Sequence, residues 1–184
     1  MIEVEVKIRV NDINSLISLF LDKGFERESY VEEIDTYYTS KFHDFKANDE
    51  ALRIRTSCNL VSGKIESFVT YKGKKLDDIS MSRLELETGV MDAEVMDRIF
   101  TSIGLIPVTP VKKKRLSLTK GNITACIDDV EGLGGFLELE IIVEDESMRK
   151  SALADIEIIL NTFGLCMADT IRTSYLSMLE EGGK

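Results

Sequence analysis

The sequence predicts an α+β fold in which eight strands, mostly antiparallel, pack with a few helices. Three observations predict it. Apolar and polar residues alternate over eight stretches, near 2–10, 30–38, 51–58, 65–73, 80–89, 111–119, 122–129 and 136–144. Apolar residues recur at helical spacing over three others. Turn signals separate several of the strands: Ser62-Gly63, Gly121-Asn122, and Gly132 with Gly134-Gly135. Eight strands are enough to close a barrel with an interior of some width.

The elements follow in order. The first strand alternates Ile2, Val4, Val6, Ile8 and Val10 with Glu3, Glu5, Lys7 and Arg9. A first helix carries Ile13, Leu16, Ile17 and Phe20 on one face, with Asn11 or Asp12 as its N-cap. Four strands come next. A second helix carries Val95, Met96, Ile99, Phe100 and Ile103 behind Asp92. Three more strands lead to a third helix, with Ile156, Ile159, Leu160 and Phe163 behind Ser147. All three stripes end alike, in Gly24-Phe25, Gly104-Leu105 and Gly164-Leu165. Glycine accepts the left-handed turn that stops a helix, and the hydrophobe after it packs back. A short fourth helix covers Ser174 to Glu181. With no linker or low-complexity stretch, residues 1–184 read as one domain.

Composition narrows the function. The 33 acidic and 23 basic residues leave a net charge of −10. Nucleic-acid binding and docking on anionic membranes both need a basic face, so neither is expected. No apolar run approaches the roughly 18 residues of a membrane span, and charges at Glu3, Glu5 and Lys7 fall too early for a secretory signal. Cys58, Cys126 and Cys166 are odd in number and widely spaced, which suits a reducing cytoplasm. With a single histidine, His43, and no cysteine pair, a Cys/His zinc site is not expected either.

The alternation also sorts charge by face. Glu3, Glu5 and Lys7 share one side of the first strand. Arg53 and Arg55 lie opposite Leu52 and Ile54, and Arg83, Glu85 and Glu87 opposite Leu84 and Leu86. Lys113 and Arg115 face away from Leu116; Glu138 and Glu140 face away from Leu137, Leu139 and Ile141. Lys72 shares a face with Thr70 and Phe68, and Asp128 with Cys126 and Thr124. A solvated sheet face explains any one of these strands. Their recurrence, strand after strand, fits a polar interior if the sheet closes. Guanidinium forks suit phosphate oxygens, and carboxylates at i, i+2 suit hard divalent cations. Together they point to a metal–polyphosphate complex. No P-loop sequence occurs.

Glu3-Val4-Glu5-Val6-Lys7 resembles the E-x-E-x-K signature of the CYTH superfamily of triphosphate tunnel proteins. That superfamily unites class IV adenylate cyclases, thiamine triphosphatases and inorganic triphosphatases. Further segments resemble it in the same order: Asp35-Thr36-Tyr37-Tyr38, Asp49-Glu50-Ala51-Leu52-Arg53-Ile54-Arg55, Thr70-Tyr71-Lys72-Gly73 and Arg83-Leu84-Glu85-Leu86-Glu87. Val111-Lys112-Lys113-Lys114-Arg115, Asp128-Asp129-Val130-Glu131-Gly132-Leu133-Gly134, Phe136-Leu137-Glu138-Leu139-Glu140 and Ser174-Tyr175 complete the set. The resemblance implies a closed eight-stranded antiparallel tunnel with helices outside and the charged face inside. It implies that Lys7, Arg53, Arg55, Lys72, Arg83, Lys113 and Arg115 contact a triphosphate. It makes Glu3, Glu5, Asp128, Glu138 and Glu140 candidates for holding Mg²⁺ or Mn²⁺. Lys7, Arg115 and Glu85 are then the candidate catalytic groups, with Glu87 supporting the basic side chains.

Within the superfamily, the Asp-Glu-Ala-Leu-Arg-Ile-Arg and Val-Glu-Gly-Leu-Gly runs most resemble the class IV adenylate cyclases. The implied reaction is attack of the ATP ribose 3′-oxygen on the α-phosphorus, giving 3′,5′-cyclic AMP and pyrophosphate, in a chain expected to be a homodimer. Many relatives place an aromatic where Leu118 stands. The alternatives are a triphosphatase and a sensor that binds without turnover. Retention of every candidate metal carboxylate favours chemistry over sensing, and the lack of tryptophan disfavours a thiamine triphosphatase. The seven nominated interior bases and seven nominated interior acids balance, which leaves the net charge of −10 on the exterior.

Overall fold

Alternation becomes a ring of strands. In the computed structural model, which describes residues 2–76 and 80–182, the order is β1 (Ile2–Val10), α1 (Ile13–Asp22), β2 (Glu26–Ser40), β3 (Ala51–Asn59), β4 (Ile65–Lys75), β5 (Arg83–Val90), α2 (Ala93–Ser102) and β6 (Leu105–Pro107). Then follow β7 (Val111–Lys120), β8 (Ile123–Val130), β9 (Gly134–Val143), α3 (Arg149–Thr162) and α4 (Tyr175–Gly182). Pairing runs β1–β5–β4–β3–β2–β7–β8–β9 and returns to β1, antiparallel throughout. These eight strands form the expected closed barrel. The three-residue β6 is an addition, pairing with the end of β2 at Tyr38–Ser40. It is too short to carry a period.

The apolar core lies outside the barrel. Val4, Val6 and Ile8 of β1, Leu118 of β7, Ala125 and Ile127 of β8, and Leu137, Leu139 and Ile141 of β9 face outward. Phe20 of α1 and Ala152, Ile156 and Leu160 of α3 cover them. Each fully buried side chain of this kind contributes about 1.5–3 kcal/mol relative to exposure, so this outer layer supplies the cohesion and the interior is left to polar groups. A second small cluster joins Val111, Val130, Phe136 and Tyr175.

The helix stops work as expected. Gly24 (φ +82°) lets the Phe25 N–H donate to the Phe20 carbonyl at 3.1 Å, and Gly164 (φ +71°) does the same for Leu165 and Leu160 at 2.9 Å. The two ends meet: Phe20 stacks on Phe163 at 3.9 Å and meets Phe25 edge-on at 4.8 Å. Asp12 and Asp92 cap α1 and α2 by accepting from Ser15 and Val95. Ser147 does not cap α3. A 3-10 turn at Glu146–Met148 precedes that helix, and Asp145 caps the turn by accepting from the Ser147 N–H at 2.7 Å. Nor is the stripe of α2 wholly buried. Phe100 meets Tyr38 at 5.1 Å, whereas Val95, Ile99 and Ile103 remain exposed.

Two strand boundaries differ from expectation. β2 begins at Glu26 and absorbs a bulge between Arg27 and Ser29. β5 begins at Arg83, because Ser80–Ser82 turns on itself, with the Ser82 N–H donating to the Ser80 hydroxyl at 3.1 Å. The barrel seam lies here. β1 pairs with β9 along its whole length but meets β5 only at Ile2 and Glu3. Further along this edge the Glu5 carbonyl accepts from Met81 N–H at 2.9 Å, and the Lys7 carbonyl from Ile171 N–H at 2.7 Å. The segment before α4 therefore completes the wall.

Candidate active site

Since β1, β3, β5, β7, β8 and β9 turn their apolar residues outward or to the rim, the alternate residues fill the barrel. A cavity of about 630 Å³ runs into it, lined by Glu3, Glu5, Lys7, Arg53, Arg55, Lys72, Arg83, Glu85, Glu87, Lys113, Arg115, Glu138 and Glu140. Charges taken from water must be paired, and the pairing forms two networks that Arg53 joins.

One network spans β2, β3, β7 and β8 and reaches Glu138 of β9 and Lys7 of β1. Asp35 accepts from Arg55 at both oxygens (2.6 and 2.8 Å) and from Arg53 at 3.0 Å. Glu33 accepts from Arg55 at 3.0 Å and lies 3.4 Å from Lys113. Asp128 accepts from Lys113 (2.9 Å), from Arg115 at both oxygens (2.7 and 2.6 Å) and from the Tyr175 hydroxyl (3.0 Å). Arg115 also pairs with Glu138, whose other oxygen lies 3.2 Å from Lys7. Burial opposes ionisation of Asp35, but the guanidinium groups of Arg53 and Arg55 outweigh it and hold this carboxyl far below the usual carboxylate range.

The other network crosses β4, β5 and β1. Lys72 lies 2.7 Å from Glu85 and 3.3 Å from Glu3, and Arg53 lies 3.8 Å from Glu85. Burial and the hydrogen bond shared with Glu3 push Glu85 up to about 7. Arg83 is held by the carbonyls of Met81 and Gly73, each at 3.3 Å. The Thr70 hydroxyl donates to Glu87 at the rim, at 2.8 Å.

Glu3, Glu5 and Glu140 gather, with one oxygen of each within 4.8 Å of the others. Register explains this: Glu5 sits directly across from Glu140 in the β1–β9 ladder, while Lys7 sits across from Glu138. Two acids facing each other repel. Burial and the charge of Glu138 push Glu5 up to about 7; burial and the charge of Glu3 push Glu140 up to about 8. Three oxygen donors this close fit a hard divalent cation, with Lys72 3.3 Å from Glu3 and Arg115 3.6 Å from Glu140 at the edge of the group. The other two metal candidates stand apart. Glu138 is ion-paired to Lys7 and Arg115. Asp128 is fully buried behind Lys113 and Arg115 and does not line the cavity. Its bonds make it a positioning group for those bases rather than part of the Glu3–Glu5–Glu140 cluster.

A CYTH domain matches residues 1–175. The chain belongs to the CYTH family. A protein of Methanocaldococcus jannaschii that carries the provisional name adenylate cyclase is 39% identical over 178 residues, which span 97% of this chain and 98% of that one. The adenylate cyclase CyaB of Aeromonas hydrophila is 25% identical over 181 residues, 97% of this chain and 89% of that one. A solved structure of a Pyrococcus horikoshii protein aligns with a TM-score of 0.89 at 34% identity, covering 98% of this chain and 99% of that one.

Some residues of this CYTH interior escaped sequence reasoning. Glu33 and Asp35 carry the same i, i+2 acid signal as Glu138 and Glu140, but the neighbouring Glu32 blurs the alternation of β2. Arg172 lines the cavity from an irregular segment that has no period to read. Leu118, by contrast, belongs to the outer core of the CYTH barrel and has no access to a ligand in the cavity.

Proposed function

We propose that this CYTH tunnel binds ATP with Mg²⁺ or Mn²⁺ and converts it to 3′,5′-cyclic AMP and pyrophosphate. One observation carries the reading: the Glu3–Glu5–Glu140 cluster and the bases Lys7, Arg53, Arg55, Lys72, Lys113 and Arg115 line one cavity. The names of the M. jannaschii and A. hydrophila relatives support it. So does the cavity wall at Phe45, Leu52 and Leu176, apolar surface that suits a nucleoside and that a bare triphosphate has no use for.

In this reading Arg53, Arg55, Lys72 and Lys113 bind the triphosphate oxygens. Lys7 and Arg115, both paired with Glu138, meet the charge that develops on the departing pyrophosphate. Glu85 aligns Lys72 and Arg53. Glu3, Glu5 and Glu140 hold the divalent cation, which when bound neutralises phosphate charge and orients the substrate.

The test is incubation with Mg²⁺ or Mn²⁺ and, separately, ATP, inorganic triphosphate and thiamine triphosphate. Cyclic AMP with pyrophosphate supports the proposal. Orthophosphate without cyclic AMP replaces it with a triphosphatase, and binding without turnover replaces it with a sensor. Glu140→Gln is expected to raise the metal concentration for half-maximal activity by roughly tenfold or more, since even the outer partners of metal ligands are worth that much. An unchanged metal requirement removes Glu140 from the cation site.

A further inference from the structure

We propose that Tyr175 is a positioning residue of the tunnel, holding the ammonium groups of Lys7 and Lys113 where a triphosphate meets them. This rests on the function proposed above and adds to it a group from outside the barrel strands. Ser174 accepts from the Ser177 N–H at 3.1 Å and so fixes the first turn of α4. Tyr175, the first residue of that helix, is 6% exposed and reaches into the end of the barrel. The Lys7 Nζ stands 4.2 Å from the centre of its ring, and the Lys113 Nζ 5.3 Å. The hydroxyl donates to Asp128 at 3.0 Å, and Asp128 accepts in turn from Lys113 and Arg115. All of these except Asp128 line the cavity.

A ring can do something here that another carboxylate cannot. Lysine has a long flexible stem, and fixing its head costs entropy. An acid that fixes it also neutralises it. The face of an aromatic ring attracts the ammonium group while leaving its full charge. Lys7 is already paired with Glu138, and Lys113 with Asp128 and Glu33, so Tyr175 adds a restraint on both lysines that takes no further charge from either. Phe136 is the natural control. Its ring meets Tyr175 edge-on at 4.9 Å and has the Arg9 guanidinium 4.7 Å from its centre, whereas both lysines stand over the Tyr175 ring.

The experiment pairs NMR with calorimetry on the full chain, comparing wild type with Tyr175→Phe, Tyr175→Leu and Phe136→Leu. In the wild type the Lys7 ε-methylene protons are expected upfield, shielded by the ring. Tyr175→Phe keeps that shift and Tyr175→Leu abolishes it. Binding of inorganic triphosphate with Mg²⁺ weakens roughly tenfold in Tyr175→Leu and less than about threefold in Tyr175→Phe. Phe136→Leu keeps both shift and affinity, which a merely structural role for the aromatic pair does not predict. The proposal is overturned if the wild type shows no upfield shift, a measurement that needs no variant to fold. It is also overturned if Tyr175→Leu binds as tightly as wild type, or if Phe136→Leu loses as much affinity. A wild type that shows the shift but binds no triphosphate defeats the function proposed above and leaves the lysine placement standing.

Discussion

Asp35 accepts hydrogen bonds from two arginines inside the barrel wall, and its removal leaves Arg55 with Glu33 alone and Arg53 with only the longer contact to Glu85. Breaking a buried pair on one side costs about 3–5 kcal/mol. Asp35→Asn is therefore expected to lower the unfolding free energy by about 3 kcal/mol, read from urea titration at neutral pH. The pH dependence has a definite sign. The folded state holds Asp35 far below its unfolded pKa of about 4, so its contribution is complete above that value and is lost as pH falls further below it. Wild-type stability should fall from about pH 4 towards pH 2, and Asp35→Asn should flatten that slope. An equally steep decline in the variant removes Asp35 as a source. Periodicity does not mark Asp35 as an interior group, because residues 32–35 contain two adjacent acids and no single face stands out.

Helix ends were the most legible elements. Gly24, Gly104 and Gly164 all take positive φ, and Phe25 and Leu165 make the backward bond of a Schellman stop. Two glycines with different physics test this. At Gly24 an added Cβ has only Lys120 Nζ nearby, at 3.8 Å, so Gly24→Ala carries the left-handed backbone cost of about 1–2 kcal/mol. At Gly135 the backbone is ordinary, but a Cβ would stand 2.7 Å from the Val10 carbonyl oxygen and 2.9 Å from Ile13 Cγ1. Gly135→Ala should disturb the β1–α1 junction as well as lower the melting temperature, and amide chemical shifts at residues 10–13 report it. In Gly24→Ala those shifts stay put. What sequence could not supply at this scale was anything set by neighbours rather than period. The partial covering of Phe100 in the α2 stripe depends on where Tyr38 sits, and the start of α3 on Asp145 capping a short turn ahead of it.

Which face of the sheet lies inside is a property of closure, and no strand taken alone contains it. Apolar residues usually mark an interior; here Val4, Val6, Leu137 and Leu139 mark the outside of the barrel, where α1 and α3 cover them. Family resemblance supplied the inversion that periodicity could not. The nominated charge balance then shifts. With Glu33 and Asp35 added, the strands bring nine acids and seven bases to the barrel, and Arg172 brings an eighth base to the cavity. Closure itself depends on the seam. Ile171→Pro deletes the N–H that serves the Lys7 carbonyl and is expected to cost about 1–3 kcal/mol, with faster hydrogen exchange in β1 than in β8; uniform exchange would place the weak point elsewhere. That seam also sets an order of events in time. β1 emerges before the other eight described strands, yet its long partner is β9, residues 134–143, and part of its other edge waits for residues 170–171. Val4, Val6 and Ile8 can meet Phe20 of α1 early but must wait for Leu137, Leu139 and α3, so assembly of this barrel is expected to be slow and governed by closure of a loop of more than 120 residues between β1 and β9.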